Sequence, residues 1–182
     1  MVAKMVNGLN MTQLNETVAM IKDKPEIAAF QFRADNNWIQ GAENKATIKS
    51  FYGACKEDVE RTKTFEYKAD EPPILLGNDQ SANPVEHLLA ALSSCMTTSL
   101  ITHAASEGCE IKECSSHFEG DLDLQGYLGL SDSVPKGYKE IRATFKVNTK
   151  ADENKIKEWI QYSPVYNTIN AGCPVKIKVE KS

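Results

Sequence analysis

Cys95 is the residue of this sequence that is best placed to do chemistry. It lies within residues 83–107, a stretch that predicts a helix because Asn83 can cap it, Pro84 suits its first turn and Glu86 can close a capping box. The stretch is apolar on more than one face, which predicts a buried central helix. A free thiol in that setting is either an inert core group or a reaction centre reached through a pocket, and both interpretations stay open.

A reactive Cys95 needs help from other residues. A thiol attacks an electrophile as the thiolate, and Cys95 is too far from the helix N-terminus to gain much from the helix dipole. The candidate cations are Arg33, Arg61 and His103, and the candidate hydrogen-bond donors are backbone amides at a helix start beside Ser163. In a dimer, any of these groups could come from the partner chain.

Structural roles compete with the catalytic ones for three of the candidates. Glu86 is suited to the capping box, and Ser163, followed by a proline, is suited to an N-cap. His103 lies eight positions after Cys95, about 80° away around a helix, so direct contact between the two is not expected. A packed histidine is the simpler interpretation of His103.

The cysteine and histidine spacing argues against a metal site or a disulfide framework. The number of cysteines is odd, and no CxxC pair occurs, which indicates free thiols in a reducing compartment. His87 and His103 are too far apart along one helix to chelate one ion. We therefore predict neither a metal nor a cofactor. The cysteines are Cys55, Cys95, Cys109, Cys114 and Cys173.

Composition narrows the class of protein further. The 182 residues fit one ordinary domain with a short extension, and 41% apolar residues suffice for a core. The net charge of -4, with scattered basic residues, does not favour nucleic-acid binding. No apolar run reaches the ~20 residues of a bilayer span, and the N-terminus lacks a secretory pattern. We expect a cytoplasmic protein that contacts no membrane.

The order of predicted elements indicates an α+β fold. Clusters of strands alternate with separate groups of helices instead of forming βαβ units. Residues 1–26 form a helical extension, and residues 27–182 form the main domain. The predicted helices are 10–22, 83–107, 152–160 and one that starts at Ser163. The predicted strands are 27–34, 45–52, 63–69, 111–123, 141–147 and 174–180, with a turn at 35–37 and a loop at 56–61.

Four ordered blocks of the sequence resemble the OsmC/Ohr family. They are residues 70–77, 83–95, 119–124 and 163–166, and the resemblance extends over roughly residues 27 to 180. It implies an intertwined homodimer, in which long central helices lie between antiparallel sheets shared by both chains. The best-known members reduce organic hydroperoxides with a peroxidatic cysteine on the central helix, and Cys95 matches that position.

The resemblance departs from the family pattern at three positions. The resolving cysteine before a proline is Ser163 here, the glutamate directly after Asn-Pro is Val85, and the arginine about twenty residues before the peroxidatic cysteine falls on Leu75. We take Ser163, Val85 and Leu75 as candidate substrate-binding positions. The chain is thus similar to OsmC-like proteins outside the well-studied hydroperoxide reductases.

Three functions remain open from the sequence. In the first, Cys95 reduces or senses organic hydroperoxides, and an external thiol reductant resolves its sulfenic acid. In the second, the dimer cleft holds a small apolar ligand without catalysis, and Cys95 only lines it. In the third, Cys95 performs another thiol or hydrolytic reaction with Glu86 or His103.

Overall fold

The computed structural model describes residues 4–181, which fall into two compact units. The C-terminal unit takes in the described residues up to Thr12 and those from Leu88 onward, and the N-terminal unit is Gln13–His87. Helices and mainly antiparallel strands occur in separate groups, which confirms the predicted α+β class. The helices are α1 (Met11–Asp23), α2 (Pro84–Ser106), α3 (Leu124–Tyr127), α4 (Glu153–Gln161) and α5 (Pro164–Asn170). The strands are β1 (Met5–Val6), β2 (Leu9–Asn10), β3 (Gln31–Phe32), β4 (Asp35–Gln40), β5 (Glu43–Ile48), β6 (Phe51–Gly53), β7 (Lys56–Glu57), β8 (Phe65–Ala69), β9 (Ile111–Leu122), β10 (Tyr138–Thr149) and β11 (Val175–Lys181).

The C-terminal unit is built on a three-stranded sheet with β10 at its centre. β9 pairs with β10 in antiparallel fashion, whereas β11 runs parallel to β10. A parallel pair needs a crossover connection, and α4 and α5 provide it. The alternation of the sequence predicts all three strands but not the parallel pairing of the last one.

The core of this unit lies between α2, α4 and the sheet. Alternate residues of β10 point inward because successive strand side chains face opposite sides. One stripe of α2, with a spacing of four residues, packs on them. Burying a leucine-sized side chain contributes about 1.5–3 kcal/mol, so these contacts fix α2 on the sheet. The central core residues are Leu92, Met96, Leu100, Ala104, Ile141, Ala143, Phe145, Val147, Ile156, Trp159 and Ile160.

α2 is the predicted central helix, and the single chain buries one stripe of it. Apart from the stripe through Leu92, Met96 and Leu100, and Ala104 and Ala105 near its end, its residues are half-buried or exposed. α2 is also long and apolar enough to cross a membrane by length and composition, contrary to the sequence-based expectation. The core helix of a soluble protein passes the same test. α2 therefore combines a core face with an open apolar face.

The N-terminal unit contains two small antiparallel sheets, ordered β4-β5-β8 and β3-β6-β7. Its start differs from the sequence-based prediction. The predicted strand 27–34 is a 3₁₀ helix at Pro25–Ala28 followed by the short β3, and the predicted turn at 35–37 lies inside β4. Pairing with β5 overrides the turn preference of Asp and Asn, and the side-chain Nδ2 of Asn36 donates to Asn44 Oδ1 at 3.0 Å.

The hairpin between β6 and β7 turns on two residues with positive φ. Gly53 pairs with Lys56, and between them Ala54 has φ 50° and Cys55 has φ 62°. Positive φ at both central positions is the type I′ pattern, which matches the twist of hairpin strands. The predicted loop 56–61 therefore begins as strand β7.

Within the C-terminal unit, the Asn7 side chain joins the hairpin β1–β2 to the start of strand β9. Asn7, with φ 51°, donates from Nδ2 to the Cys109 carbonyl at 3.0 Å, and its Oδ1 accepts from the Ile111 amide at 2.8 Å. Because β9 is an edge strand, the Asn7 amide takes the place of a neighbouring strand at its first residue.

Seven elements agree closely with the sequence-based prediction, whereas the predicted strand 45–52 is split into β5 and β6. α1, α4, α5, β8, β9, β10 and β11 all lie within a few residues of their predicted bounds. The boundary between an extension ending at residue 26 and a domain over 27–182 stays a prediction.

Candidate functional site

Cys95 lies on the open face of α2. It is partly buried and is not a member of the core cluster, although its chain neighbour Met96 is fully buried. One and two turns before it, the same face carries Ala91 and Leu88, both exposed. The thiol is therefore not enclosed by the core of its own chain, which favours the accessible thiol over the inert one.

The same face becomes rich in hydroxyl groups after Cys95. Thr98, Ser99 and Thr102 follow it at the helical spacings that bring side chains to one side. Within residues 4–181 none of these three hydroxyls has a hydrogen-bond partner. Other α2 hydroxyls differ, since those of Ser93 and Ser94 donate to the Ala90 carbonyl at 2.9 and 2.8 Å.

The structure does not place the His103 side chain beside Cys95. Its ring stacks on Tyr162, with centroids 4.0 Å apart and planes inclined by 16°. Eight helical residues correspond to about 12 Å along the axis of α2. The structure thus supports the packed histidine that the sequence favours.

Ser163 caps helix α5. Its side chain is fully buried, and its hydroxyl accepts a hydrogen bond from the Tyr166 amide at 3.1 Å, which confirms the predicted N-cap. Because the buried Ser163 hydroxyl accepts from a backbone amide at the start of α5, its role in the helix cap requires no ligand.

Arg33 is neutralised by a neighbour. Its guanidinium donates to both carboxylate oxygens of Glu57, at 2.8 and 2.7 Å, and also to Gln31. The hydrogen bonds to Glu57 raise the pKa of Arg33 and lower that of Glu57. Arg33 therefore has little charge to offer to a distant thiol.

Arg61 has no such partner. Its guanidinium carbon lies 4.8 Å from the Phe51 ring centroid and 5.6 Å from that of Phe65, and it donates to the Lys49 carbonyl at 3.3 Å. No carboxylate within residues 4–181 forms an ion pair with it. The two rings hold the cation in place without neutralising it.

Glu86 forms the predicted capping box. The Asn83 amide donates to Glu86 Oε2 at 2.9 Å, and the Glu86 amide donates to Asn83 Oδ1 at the same distance. Val85 is partly buried in the first turn of α2, and Leu75 is partly buried at the end of the 3₁₀ helix Pro73–Leu75. These placements are structural, and the binding roles of Val85 and Leu75 stay predictions.

Asp70 is an organising residue that the sequence reasoning missed. It is 1% exposed, and its carboxylate accepts from the amides of Glu71, Asn78 and Gln80 at 2.8, 3.0 and 3.3 Å. Burial acts to raise its pKa, but these three hydrogen bonds outweigh that effect and hold the pKa below its ordinary value. An Asp at a strand end before two prolines is the signal that could have identified it.

The other cysteines are free thiols in different surroundings. Burial raises the pKa of Cys114, and burial together with the Glu140 charge raises that of Cys173. Cys109 Sγ lies 3.3 Å from Thr149 Oγ1, and Cys55 is exposed at its hairpin tip. In the part of the chain that the structure describes, no group of His, Cys, Asp or Glu side chains is arranged to hold a metal ion.

Comparisons with known proteins identify the family of proteins to which this fold and its central helix correspond. The family model described as OsmC-like protein matches residues 77–178, which include α2, Cys95 and the sheet of the C-terminal unit. This is more than half of the chain. The chain belongs to the OsmC-like protein family.

Solved structures show the same fold at low sequence identity. An OsmC-like protein from Mycoplasma pneumoniae is 16% identical with a TM-score of 0.60, over 84% of this chain and 96% of its own. An organic hydroperoxide resistance protein from Elizabethkingia anophelis, with crystallant-derived thiocyanate bound, is 17% identical with a TM-score of 0.58, over 85% and 99%. The organic hydroperoxide resistance protein OsmC from Legionella pneumophila is 14% identical with a TM-score of 0.55, over 84% and 98%. No curated protein matches the chain in sequence.

Proposed function

We propose that this chain is a thiol peroxidase of the one-cysteine type, which reduces or senses organic hydroperoxides through Cys95. The observation that carries the proposal is a partly exposed thiol on the open face of the central helix of an OsmC-like fold. Two of the structural neighbours, from Elizabethkingia anophelis and Legionella pneumophila, are organic hydroperoxide resistance proteins. Their names support the substrate class, and the thiol supports the chemistry.

The reaction balances with an external thiol as reductant. The Cys95 thiolate attacks the terminal peroxide oxygen, so that an S–O bond forms, the O–O bond breaks and the alkoxide leaves and takes a proton. Cys95 is then a sulfenic acid. One external thiol converts it to a mixed disulfide with loss of water, and a second thiol releases Cys95 with formation of the external disulfide. No second cysteine of this chain is required.

The active form in this proposal is a cytoplasmic homodimer. The open face of α2 carries apolar side chains, including the 38% exposed Leu88, which a second copy would cover. Arg61 of the partner is the cation that would favour the Cys95 thiolate, because Arg33 is already paired with Glu57.

A second candidate function is a non-catalytic binding module for a small apolar ligand. It is favoured by the structural tasks of Glu86, which caps α2, and of Ser163, which caps α5. Neither group is available to activate the thiol without loss of a cap. In this alternative Cys95 only lines the cleft.

The decisive experiment is sulfenic acid formation at Cys95 with an organic hydroperoxide. Mass spectrometry with a sulfenate-trapping reagent should show single oxidation of the wild type and of Cys55→Ser, a control that removes an exposed thiol. Cys95→Ser should give no peroxide-dependent product and no turnover with an external thiol. A wild-type protein whose Cys95 is inert to hydroperoxide and to alkylating reagents would exclude the peroxidase and leave the binding module.

A further inference from the structure

A cavity of about 230 Å³ lies in the N-terminal unit, beside the β6–β7 hairpin. Phe30, Phe51 and Val59 provide its large apolar side chains, and Gly53 and Ala54 line it at the start of the hairpin turn. An apolar cavity of about 150 Å³ is enough to hold benzene, so this one has room for a single substituted ring. All of its lining residues belong to the N-terminal unit, and the cavity is therefore complete within that unit.

Phe30 presents aromatic surface to the cavity. Its ring centroid lies 6.2 Å from that of Phe51, with the planes inclined by 18°, and 5.9 Å from that of Phe32, with the planes inclined by 19°. Phe32 and Phe51 face each other across β3 and β6, so two paired strands support the Phe30 ring. Phe30 is nevertheless 51% exposed. Because ring–ring contacts contribute more than their buried area alone, this surface favours an aromatic ligand.

The position of the Phe30 ring depends on the lack of a side chain at Gly53. Gly53 is buried, and a Cβ built on it would overlap with Cε1 and Cδ1 of Phe30. Carbon atoms at optimal contact lie about 3.5–4.0 Å apart, so any side chain at this position would displace the ring. The backbone of Gly53 does not have positive φ, and its conformation therefore does not require glycine. Gly53 instead leaves the space in which Phe30 lies.

Three charged residues complete the lining of the cavity, and two of them have uncommitted side chains. The Asp58 carboxylate accepts from the backbone amides of Glu60 and Arg61, at 3.4 and 3.1 Å. Within residues 4–181, the Lys56 ammonium and the Glu60 carboxylate form neither an ion pair nor a hydrogen bond. The cavity thus offers one unused donor group and one unused acceptor group, of opposite charge.

We infer that this cavity binds an uncharged aromatic alcohol with a single ring. The ring packs on Phe30 and Phe51. The hydroxyl accepts from Lys56 and donates to Glu60, because a hydroxyl group has both capacities. A charged ligand is disfavoured, since an ammonium would face Lys56 and a carboxylate would face Glu60. The site does not include Cys95 and is independent of the proposed function.

The test is a titration of the isotope-labelled full chain with benzyl alcohol, followed by amide chemical shifts in NMR spectra. The amides of Gly53 and Ala54 should shift and reach saturation, with a Kd on the order of 1 mM, as expected for a ligand of so few atoms. The amide of Gly172, in the C-terminal unit, should not move. Benzylamine and benzoate should bind at least about threefold more weakly. Shifts that grow without saturation, or tighter binding of either charged compound, would overturn the inference.

Two matched pairs of variants locate the binding. Gly53→Ala should weaken the binding of benzyl alcohol at least about tenfold, because the added methyl group displaces Phe30. Gly137→Ala is its control, since a Cβ at this exposed glycine would meet nothing within 4 Å, and its Kd should be unchanged. Phe30→Leu should weaken binding about fivefold, the effect of one aromatic contact. Phe32→Leu changes a ring that stacks on Phe30 but lies outside the lining, and should stay within about twofold. Equal Kd values within either pair would refute the site.

Cys95→Ser separates this inference from the proposed function. The variant should bind benzyl alcohol with the Kd of the wild type, although it has lost the thiol that the peroxidase needs. Loss of benzyl alcohol binding in Cys95→Ser would contradict a cavity that is confined to the N-terminal unit. Failure of the wild type to react with hydroperoxide would refute the peroxidase and leave the binding result unaffected.

Discussion

Arg33 and Arg61 carry the same charge but differ in how much of it is available. Glu57 neutralises Arg33 through two hydrogen bonds, whereas Arg61 lies over Phe51 and Phe65 without an ion-pair partner among residues 4–181. Both arginines are candidate cations from the sequence alone. The side chains that each arginine contacts depend on strand pairing in the N-terminal unit, which no local sequence pattern records.

Arg61→Gln should slow the reaction of Cys95 with hydroperoxide at neutral pH by about tenfold, since a nearby cation stabilises the thiolate. Arg33→Gln is the matched control and should change the rate by less than about twofold. The measurement is the second-order rate constant across pH, and the Arg61 variant should need a higher pH for the same rate. Equal effects of the two substitutions would contradict this assignment.

Asp70 contributes stability that depends on its charge. Because its pKa is lowered in the folded state from the ordinary value of 3.8, its contribution is complete above that pH and is lost as the pH falls below it. Asp70→Asn should therefore lower Tm by several degrees at pH 7, because it replaces one acceptor oxygen with a donor and removes the charge from the remaining hydrogen bonds.

The pH series provides the check on Asp70. The difference in Tm between the wild type and Asp70→Asn should shrink as the pH falls from 7 to 3. The exposed Asp79, in the same loop, offers a control, because Asp79→Asn should have little effect at any pH. A difference that stays constant down to pH 3 would contradict the role of the Asp70 charge.

At the scale of elements, the β6–β7 turn holds two side chains in a conformation that favours glycine and asparagine. Ala54 and Cys55 both have positive φ, and each such residue costs about 1 kcal/mol. Replacing them together by Ala54→Asn and Cys55→Gly should raise the free energy of unfolding by about 1 kcal/mol, measured by urea denaturation. Ala42→Gly, in a hairpin loop where Ala42 does not have positive φ, should lower stability instead.

Elements with local signals are the ones that the sequence predicts well. Asn83 with Glu86, and Ser163 before Pro164, mark helix starts through contacts within three residues, and the structure contains both caps. Alternation similarly identifies β10, because one face of that strand is buried. These signals are complete in a short stretch of sequence.

Elements that depend on distant partners are predicted poorly. Asp35, Asn36 and Asn37 have turn-forming character, yet pairing with β5 makes them a strand. The parallel alignment of β11 with β10 depends on how α4 and α5 pack, which no local pattern records.

At the scale of the whole molecule, many large apolar side chains of the single chain are exposed. Some are almost fully open, including Ile74 at 86% and Leu76 at 91%. The homodimer proposed above would cover such residues.

The chain should therefore behave in solution as a dimer with about twice its 20.2 kDa mass, measured by light scattering after gel filtration. Ala91→Glu places a charge on the open face of α2 and should shift the protein toward monomer. Asn154→Glu, on the exposed side of α4, is the control and should remain dimeric. A wild-type monomer at micromolar concentration would contradict the homodimer.

The Asn7 side chain also affects the tendency of the purified protein to aggregate. Its amide shields the beginning of the edge strand β9 from pairing with strands of other molecules. A shortened version that lacks the first ten residues would leave that main chain unsatisfied. Such a sample is expected to turn cloudy during concentration or storage, even with the surroundings of Cys95 unchanged.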